Sequence, residues 1–264
     1  MEKYLVDLFV TSAREQVRAP DWLLRLYLSL FAAPLGKTLR IDMLNDLLRD
    51  QDISGKRALD VGCGIGDLSF VLAKRGAHVI GVELDAQKVT DATTIAQRWH
   101  FEDLRFIAGD VTKIDQMNLG QFDAIFCLAL LEHIKDDVSL LKQLQTMLRP
   151  GGFFLLEVPS AHRKTIAEIE IADGHQRPGY KLEEVPKLLE SVGLRLTKYR
   201  TMDPLGLIYY WCVCSRIVPG AKTRRWLFTG LAPLFITLIR LSSRLIKRPG
   251  AELCFLAIKP KSEM

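Results

Sequence analysis

An apolar run broken by glycine at every second position, RALDVGCGIGD over residues 57–67, constrains this chain more than any other stretch. Ala58, Leu59 and Val61 have the character of a buried strand, and Gly62, Gly64 and Gly66 follow. Glycine at such a turn permits positive φ and removes the Cβ, so the backbone can pass close beneath a ligand. The unit is a nucleotide-cradling strand and turn leading into a helix. The pyrophosphate fingerprint wants its third glycine three positions after the second, and that position is Asp67. GxGxG in place of GxGxxG steers away from a nicotinamide dinucleotide.

Strand-like runs at about 57–62, 77–83, 104–109, 122–128 and 153–158 alternate with helical stretches at about 67–75, 86–98 and 136–148. This alternation predicts an α/β fold with a parallel sheet covered by helices on both faces. Asp67 is placed to cap the first of these helices, and Pro150-Gly151-Gly152 to stop the last. Ligand-facing residues are expected at the carboxyl ends of the strands. With 264 residues, 48% hydrophobic and 25% charged, the chain has ample material for a core and is not of disordered composition. Cysteines 63, 127, 212, 214 and 254 are odd in number and lack CxxC spacing, which suits reduced core residues of a cytoplasmic protein. Glu2 and Asp7 stand where a signal peptide would carry its basic region, so no signal peptide is expected.

Four further positions complete the pattern. Glu83 ends the second strand, where a carboxylate accepts both ribose hydroxyl hydrogens. Asp110, in Gly109-Asp110-Val111 after the third strand, is placed to accept from an adenine amino group, or simply to make a turn. FDAIFCLALLEHI (122–134) and LRPGGFFLLEVP (148–159) supply the fourth and fifth strands. In this order and spacing, over about 57–160, these strings resemble the class I S-adenosylmethionine (SAM)-dependent methyltransferase family, in its small-molecule and lipid-type branch. The resemblance implies a seven-stranded, mostly parallel Rossmann-like sheet whose seventh strand lies antiparallel beside the sixth. It implies SAM as cofactor, bound by Asp60, Gly62, Gly64, Gly66, Glu83, Leu84, Asp110, Val111 and Cys127. The NPPY-like motif of relatives that methylate amino groups of DNA or glutamine is replaced by Cys127-Leu128-Ala129-Leu130, which disfavours that substrate class.

Methyl transfer from a sulfonium is a direct displacement, accelerated mainly by alignment and exclusion of water. A general base is needed when the acceptor is a hydroxyl. His133, in LEHIKDD, and His175, in DGHQRPGY, are the candidate catalytic residues, with Arg177 and Tyr180 as substrate-pocket lining. The bland alternatives are a structural histidine and a solvated surface loop. Glu132 and His133 lack an apparent third ligand, so no metal is expected.

Residues 1–50 form an N-terminal helical cap, with apolar segments Tyr4–Val10 and Trp22–Leu35; the SAM-binding domain comprises 51–203 and 251–264. Between strands at 194–200 and 252–259 lies a long helical insertion, 204–250, which holds no acidic residue and eight basic ones: Arg216, Lys222, Arg224, Arg225, Arg240, Arg244, Lys247 and Arg248. Leu227, Leu231, Leu234, Leu238, Leu241 and Leu245 make one helical stripe, widened by Phe228, Phe235, Ile239 and Ile246. Its uncharged centre, Trp226–Ile239, is too short to span a bilayer, so a helix lying in the membrane interface fits it better. Competing roles are a helix over the sheet edge, a pocket roof and a homodimer contact. The leading expectation is O-methylation of an amphipathic or lipid-like small molecule, by a protein peripheral to the inner face of the membrane. The alternatives are a soluble aromatic or polyketide-like acceptor beneath a roofing insertion, and a non-catalytic SAM-binding module. Nucleic acid is not expected, because the basic residues alternate with leucines and not with base-stacking aromatics.

Overall fold

The computed structural model describes residues 2–13, 20–31, 35–163, 174–207, 234–246 and 248–261. Three helices, α1 (Lys3–Ala13), α2 (Asp21–Phe31) and α3 (Leu35–Leu47), precede the sheet. Then follow β1 (Arg57–Val61), α4 (Asp67–Lys74), β2 (His78–Glu83), α5 (Ala86–Arg98), β3 (Leu104–Ala108), β4 (Phe122–Leu128), α6 (Asp137–Met147) and β5 (Leu148–Pro159). The chain continues through α7 (Glu184–Ser191), β6 (Arg195–Met202), α8 (234–245) and β7 (Glu252–Ile258).

The seven strands form one sheet in the order β3-β2-β1-β4-β5-β7-β6. β7 alone runs antiparallel to its neighbours, as the resemblance implied. The central strands are apolar on both faces because both are covered. Phe153 and Leu155 enter one core cluster, while Phe154 and Leu156 enter the other. Edge strand β6 instead carries Arg195, Lys198 and Arg200, charges that blunt an open edge.

Details differ from the sequence expectation at the helix and strand ends. Gly66, at φ 86°, takes the N-cap of α4 without any side-chain cap, and Asp67 lies buried in the first turn. The side-chain caps belong to Asp85 on α5 and Asp136 on α6. β5 already begins at Leu148, which pairs with Phe122, so Pro150-Gly151-Gly152 lies within the strand at a register shift.

The first core cluster extends into the N-terminal helices. α1 buries Tyr4, Leu5, Val6, Leu8, Phe9 and Val10, and the Tyr4 ring meets Phe70 at 5.6 Å and Phe101 at 5.1 Å. Buried Asp7 ties α1 to α2 through Arg25, and to α5 through Trp99 Nε1, which donates to it at 2.9 Å. α8 turns Ile236, Ile239 and Ser242 inward and joins α3 through Arg240 and Asp42 at 2.7 Å. Its opposite side leaves Leu234, Leu238, Leu241 and Leu245 at 54%, 43%, 52% and 70% exposure. Leu227, Phe228 and Leu231, together with Arg216, Lys222, Arg224, Arg225 and Lys247, lie outside the described residues. Among the described residues, no helix is long and apolar enough to cross a membrane.

Candidate active site

The carboxyl ends of β1, β2 and β4 meet at the glycine turn. Gly62, Gly64 and Gly66 all have positive φ, at 69°, 56° and 86°. Their surroundings separate their roles. A Cβ on Gly62 would meet Leu130 at 2.8 Å, and one on Gly66 would meet the Phe106 ring at 2.6 Å, so these two glycines permit close packing. A Cβ on Gly64 would meet nothing within 4 Å, so this glycine faces open space. Glu83 joins the turn to β2: its Oε2 accepts from Gly64 N at 2.9 Å and its Oε1 from Asp85 N at 3.1 Å. Each oxygen keeps a second lone pair for a ribose hydroxyl. Beside it Leu84 is 72% exposed, an apolar surface that a bound nucleoside would cover. Asp60 is buried and accepts from Ser69 Oγ at 2.6 Å, fixing α4 against β1. Asp110 Oδ1 accepts from Thr112 N and Oγ1 at 3.0 and 2.7 Å, capping the short 3-10 helix Val111–Met117. Val111 and Cys127 belong to the core, at 7% and 0% exposure, so neither presents its side chain to a cofactor.

A second cluster is built after β4. Ala129, at φ 49°, turns the chain sharply, and its N–H donates to Glu157 O at 3.0 Å. A left-handed alanine is strained, a condition typical of sites where position matters. The turn delivers Glu132 and His133 to a second loop, whose Gln176 N donates to Glu132 O at 2.8 Å. His133 and His175 meet edge to face, ring centroids 4.6 Å apart, and His133 Nε2 lies 3.9 Å from Glu132 Oε1. Glu132 is 3% exposed, and burial pushes its carboxyl up to about 7. Its Oε2 is buried with no hydrogen-bond partner among the described residues. One ligand atom from each of Glu132, His133 and His175 falls within 4.8 Å of the others. This corrects the expectation that no third ligand lies near Glu132 and His133: the loop brings His175 there, and one divalent cation could be held by the three.

Tyr180 is turned into the core and not towards a pocket, and Arg177 folds back beside it. Tyr180 is 2% exposed and its hydroxyl donates to Asp137 Oδ2 at 2.8 Å. Arg177 pairs with the same oxygen at 2.9 Å and stacks on the Tyr180 ring at 4.8 Å. Together they pin the His175 loop to the first turn of α6.

Sequence reasoning missed Arg40 and Glu157. Arg40, on α3, donates Nε to both oxygens of Glu157, at 3.0 and 2.8 Å, and Glu157 is 1% exposed. Near it, Glu252 receives Arg163 at 3.2 Å, and burial pushes its carboxyl up to about 8, with the Glu157 charge adding to the rise. Glu157 repeats the signal that revealed Glu83, an acid at the end of a buried strand. Arg40 carries no local signal, since its partner is 117 positions away.

Residues 52–198 match the family model described as a methyltransferase domain. The ubiquinone biosynthesis O-methyltransferase of Acinetobacter baumannii (strain AYE) is 32% identical over 114 residues, 43% of this chain and 47% of that protein. Its counterpart from Psychrobacter arcticus is 33% identical over 117 residues, 44% of this chain and 46% of that protein. The chain therefore matches about half the length of these curated relatives. In structure it is similar to Haemonchus contortus phosphoethanolamine N-methyltransferase 2 solved with S-adenosyl-L-methionine: the TM-score is 0.62 at 20% identity, over 96% of this chain and 60% of that one. A SAM-dependent methyltransferase from Archaeoglobus fulgidus gives a TM-score of 0.56 at 14% identity, over 89% and 98% of the two chains. At these identities the structural likeness concerns the fold.

Proposed function

Because the chain belongs to the SAM-dependent methyltransferase family, we propose that it transfers the methyl group of SAM to an oxygen of an amphipathic, lipid-like small molecule collected at a membrane surface. Gly64 and Glu83 receive the nucleoside, and the cluster after β4 receives the acceptor. His133 would take the proton of the acceptor hydroxyl, and SAM, when bound, would supply the methyl group to that oxygen. Ionised Glu132, 3.9 Å away, steadies the imidazolium, and His175 orients the ring. The names of the ubiquinone biosynthesis O-methyltransferases support oxygen as the accepting atom.

The membrane-surface reading is carried by one observation, the outward row Leu234, Leu238, Leu241 and Leu245 on α8. The row lies in a segment, 204–250, free of acidic residues, the combination that suits an anionic interface. Flotation with phosphatidylglycerol vesicles tests it. The wild type is expected to float, and replacing all four leucines by serine to weaken binding at least ~100-fold, given roughly 1.5–3 kcal/mol per fully buried side chain. A wild type that stays in the soluble fraction, and methylates an aromatic acceptor in lipid-free buffer, would return the insertion to the role of a pocket roof.

The cofactor assignment is tested by calorimetry. Glu83→Ala is expected to weaken SAM binding by about 1–3 kcal/mol, the cost of losing acceptors for the ribose hydroxyls. Unchanged affinity would remove Glu83 from the site.

A further inference from the structure

Away from the glycine turn, the two ends of the 204–250 excursion and the segment leaving β5 line a half-open cavity of about 380 Å³. His162 and Arg163 form one wall, residues 203–206 a second, and residues 248–251 the third. Arg163 is steadied by Glu252 at 3.2 Å, and Arg248 donates Nε to Pro204 O at 2.9 Å. Two arginines of the lining are thus held by contacts within the protein. The one carboxylate of the lining, Asp203, is 1% exposed, and its Oδ1 accepts from Leu207 N at 2.7 Å. Asp203 adopts φ 57° and so shapes the neck of the excursion. Gly206 leaves the wall beside it open, since a Cβ there would meet nothing within 4 Å. Burial, and then the charge of Glu157, push the Glu252 carboxyl up to about 8, so near neutrality it offsets little of the Arg163 charge.

We propose that this neck cavity binds a phosphate or carboxylate group, either the headgroup of an anionic amphiphile or a free anion of the same chemistry. Arginine forks suit oxyanions, and here two arginines line the cavity beside a single lining carboxylate that is already engaged. The cavity opens where the excursion carrying the exposed leucine row leaves and rejoins the sheet, which suits a headgroup whose chains lie against α8. Anion binding here does not depend on methyl transfer.

The experiment uses the full chain, with inorganic phosphate as one probe and vesicles of phosphatidylglycerol or of phosphatidylcholine alone as the other. Calorimetry is expected to show saturable phosphate binding that weakens about tenfold in Arg248→Gln and in Arg163→Gln, the size of one charge-assisted hydrogen bond. Should Arg163→Gln misfold through loss of the Glu252 contact, Arg248→Gln decides the matter alone, because Arg248 is exposed and its side chain donates to a backbone carbonyl, that of Pro204. Phosphate binding without preference for phosphatidylglycerol vesicles assigns a free anion. A phosphatidylglycerol preference that falls in Arg248→Gln assigns a lipid headgroup. The proposal is overturned if the wild type binds neither probe, or if a folded Arg248→Gln binds both as the wild type does. Vesicle binding that follows the leucine row but ignores both arginines would also overturn it, while leaving the membrane-surface reading intact.

Discussion

Replacing Arg40 by alanine is expected to cost about 3–5 kcal/mol of stability, the range for removing one partner of a buried ion pair. The Arg40 side chain is 22% exposed and that of Glu157 only 1%, so the stranded carboxylate could not hydrate without opening the fold. Burial alone would lower the arginine's pKa, but the Glu157 charge outweighs this and holds it fully protonated. Two further carboxyls amplify the effect, Glu132 pushed up to about 7 and Glu252 to about 8, in both cases mainly by burial. Their folded pKa values lie above the unfolded glutamate value of about 4.3, so the folded state holds protons that the unfolded chain releases. Their contribution is therefore complete below that value and is lost as pH rises through 7 and then 8. The Arg40→Ala deficit should accordingly be larger at pH ~8.5 than at pH ~5.5, because at higher pH more carboxylate charge must be accommodated without the guanidinium. Urea unfolding at the two pH values measures it. A variant within about 1 kcal/mol of wild type at both would show that the pair is an ordinary surface contact.

His133→Ala is expected to lower kcat/KM for a hydroxyl acceptor by about 10²–10⁴-fold, the usual contribution of a positioned general base. SAM affinity should stay unchanged, since the glycine turn and Glu83 are untouched. In the wild type, the rate should rise with pH through about 7, where Glu132 loses its proton and can support the imidazolium. Glu132→Gln should flatten that rise. Because the same side chains could hold a cation, the assay is run with and without a chelator. Activity abolished by the chelator and restored by a divalent metal would assign the cluster to metal binding in place of proton transfer. Full activity of His133→Ala would leave the ring a packing partner of His175.

The sheet was legible because its signals are local. The first three strands are apolar runs ended by glycine or acid, and strand period and helix period alternate along the chain. The ribose acid and the glycine turn were legible for the same reason, since Gly64 and Glu83 stand 19 positions apart at the ends of neighbouring strands. The acceptor side was only half legible. The His175 loop reads as a polar pocket, yet its tyrosine and arginine both fold back onto Asp137, a partner that loop composition does not announce. The leucine row was visible as a period but not as a direction. Ile239 shares that helix, and the contact of Arg240 with Asp42 on α3 fixes which side faces the core. Arg40 illustrates the limit: nothing within its own helix distinguishes it from a surface arginine, and only the closed fold presents Glu157 to it.

The placement of β7 has a kinetic consequence. It is an interior strand, paired with β5 on one side and β6 on the other, yet it comes after the whole 204–250 excursion. β6 is therefore made early and left without a partner until β7 has been synthesised and threaded into the gap. Closure entropy grows only by about 0.6 kcal/mol for each doubling of loop length, so lengthening the excursion should scarcely alter equilibrium stability. Pairing across so long a separation does slow the search. Changes in the excursion should register in the refolding rate, and in aggregation from the waiting β5 and β6 edges, well before they register in the melting temperature.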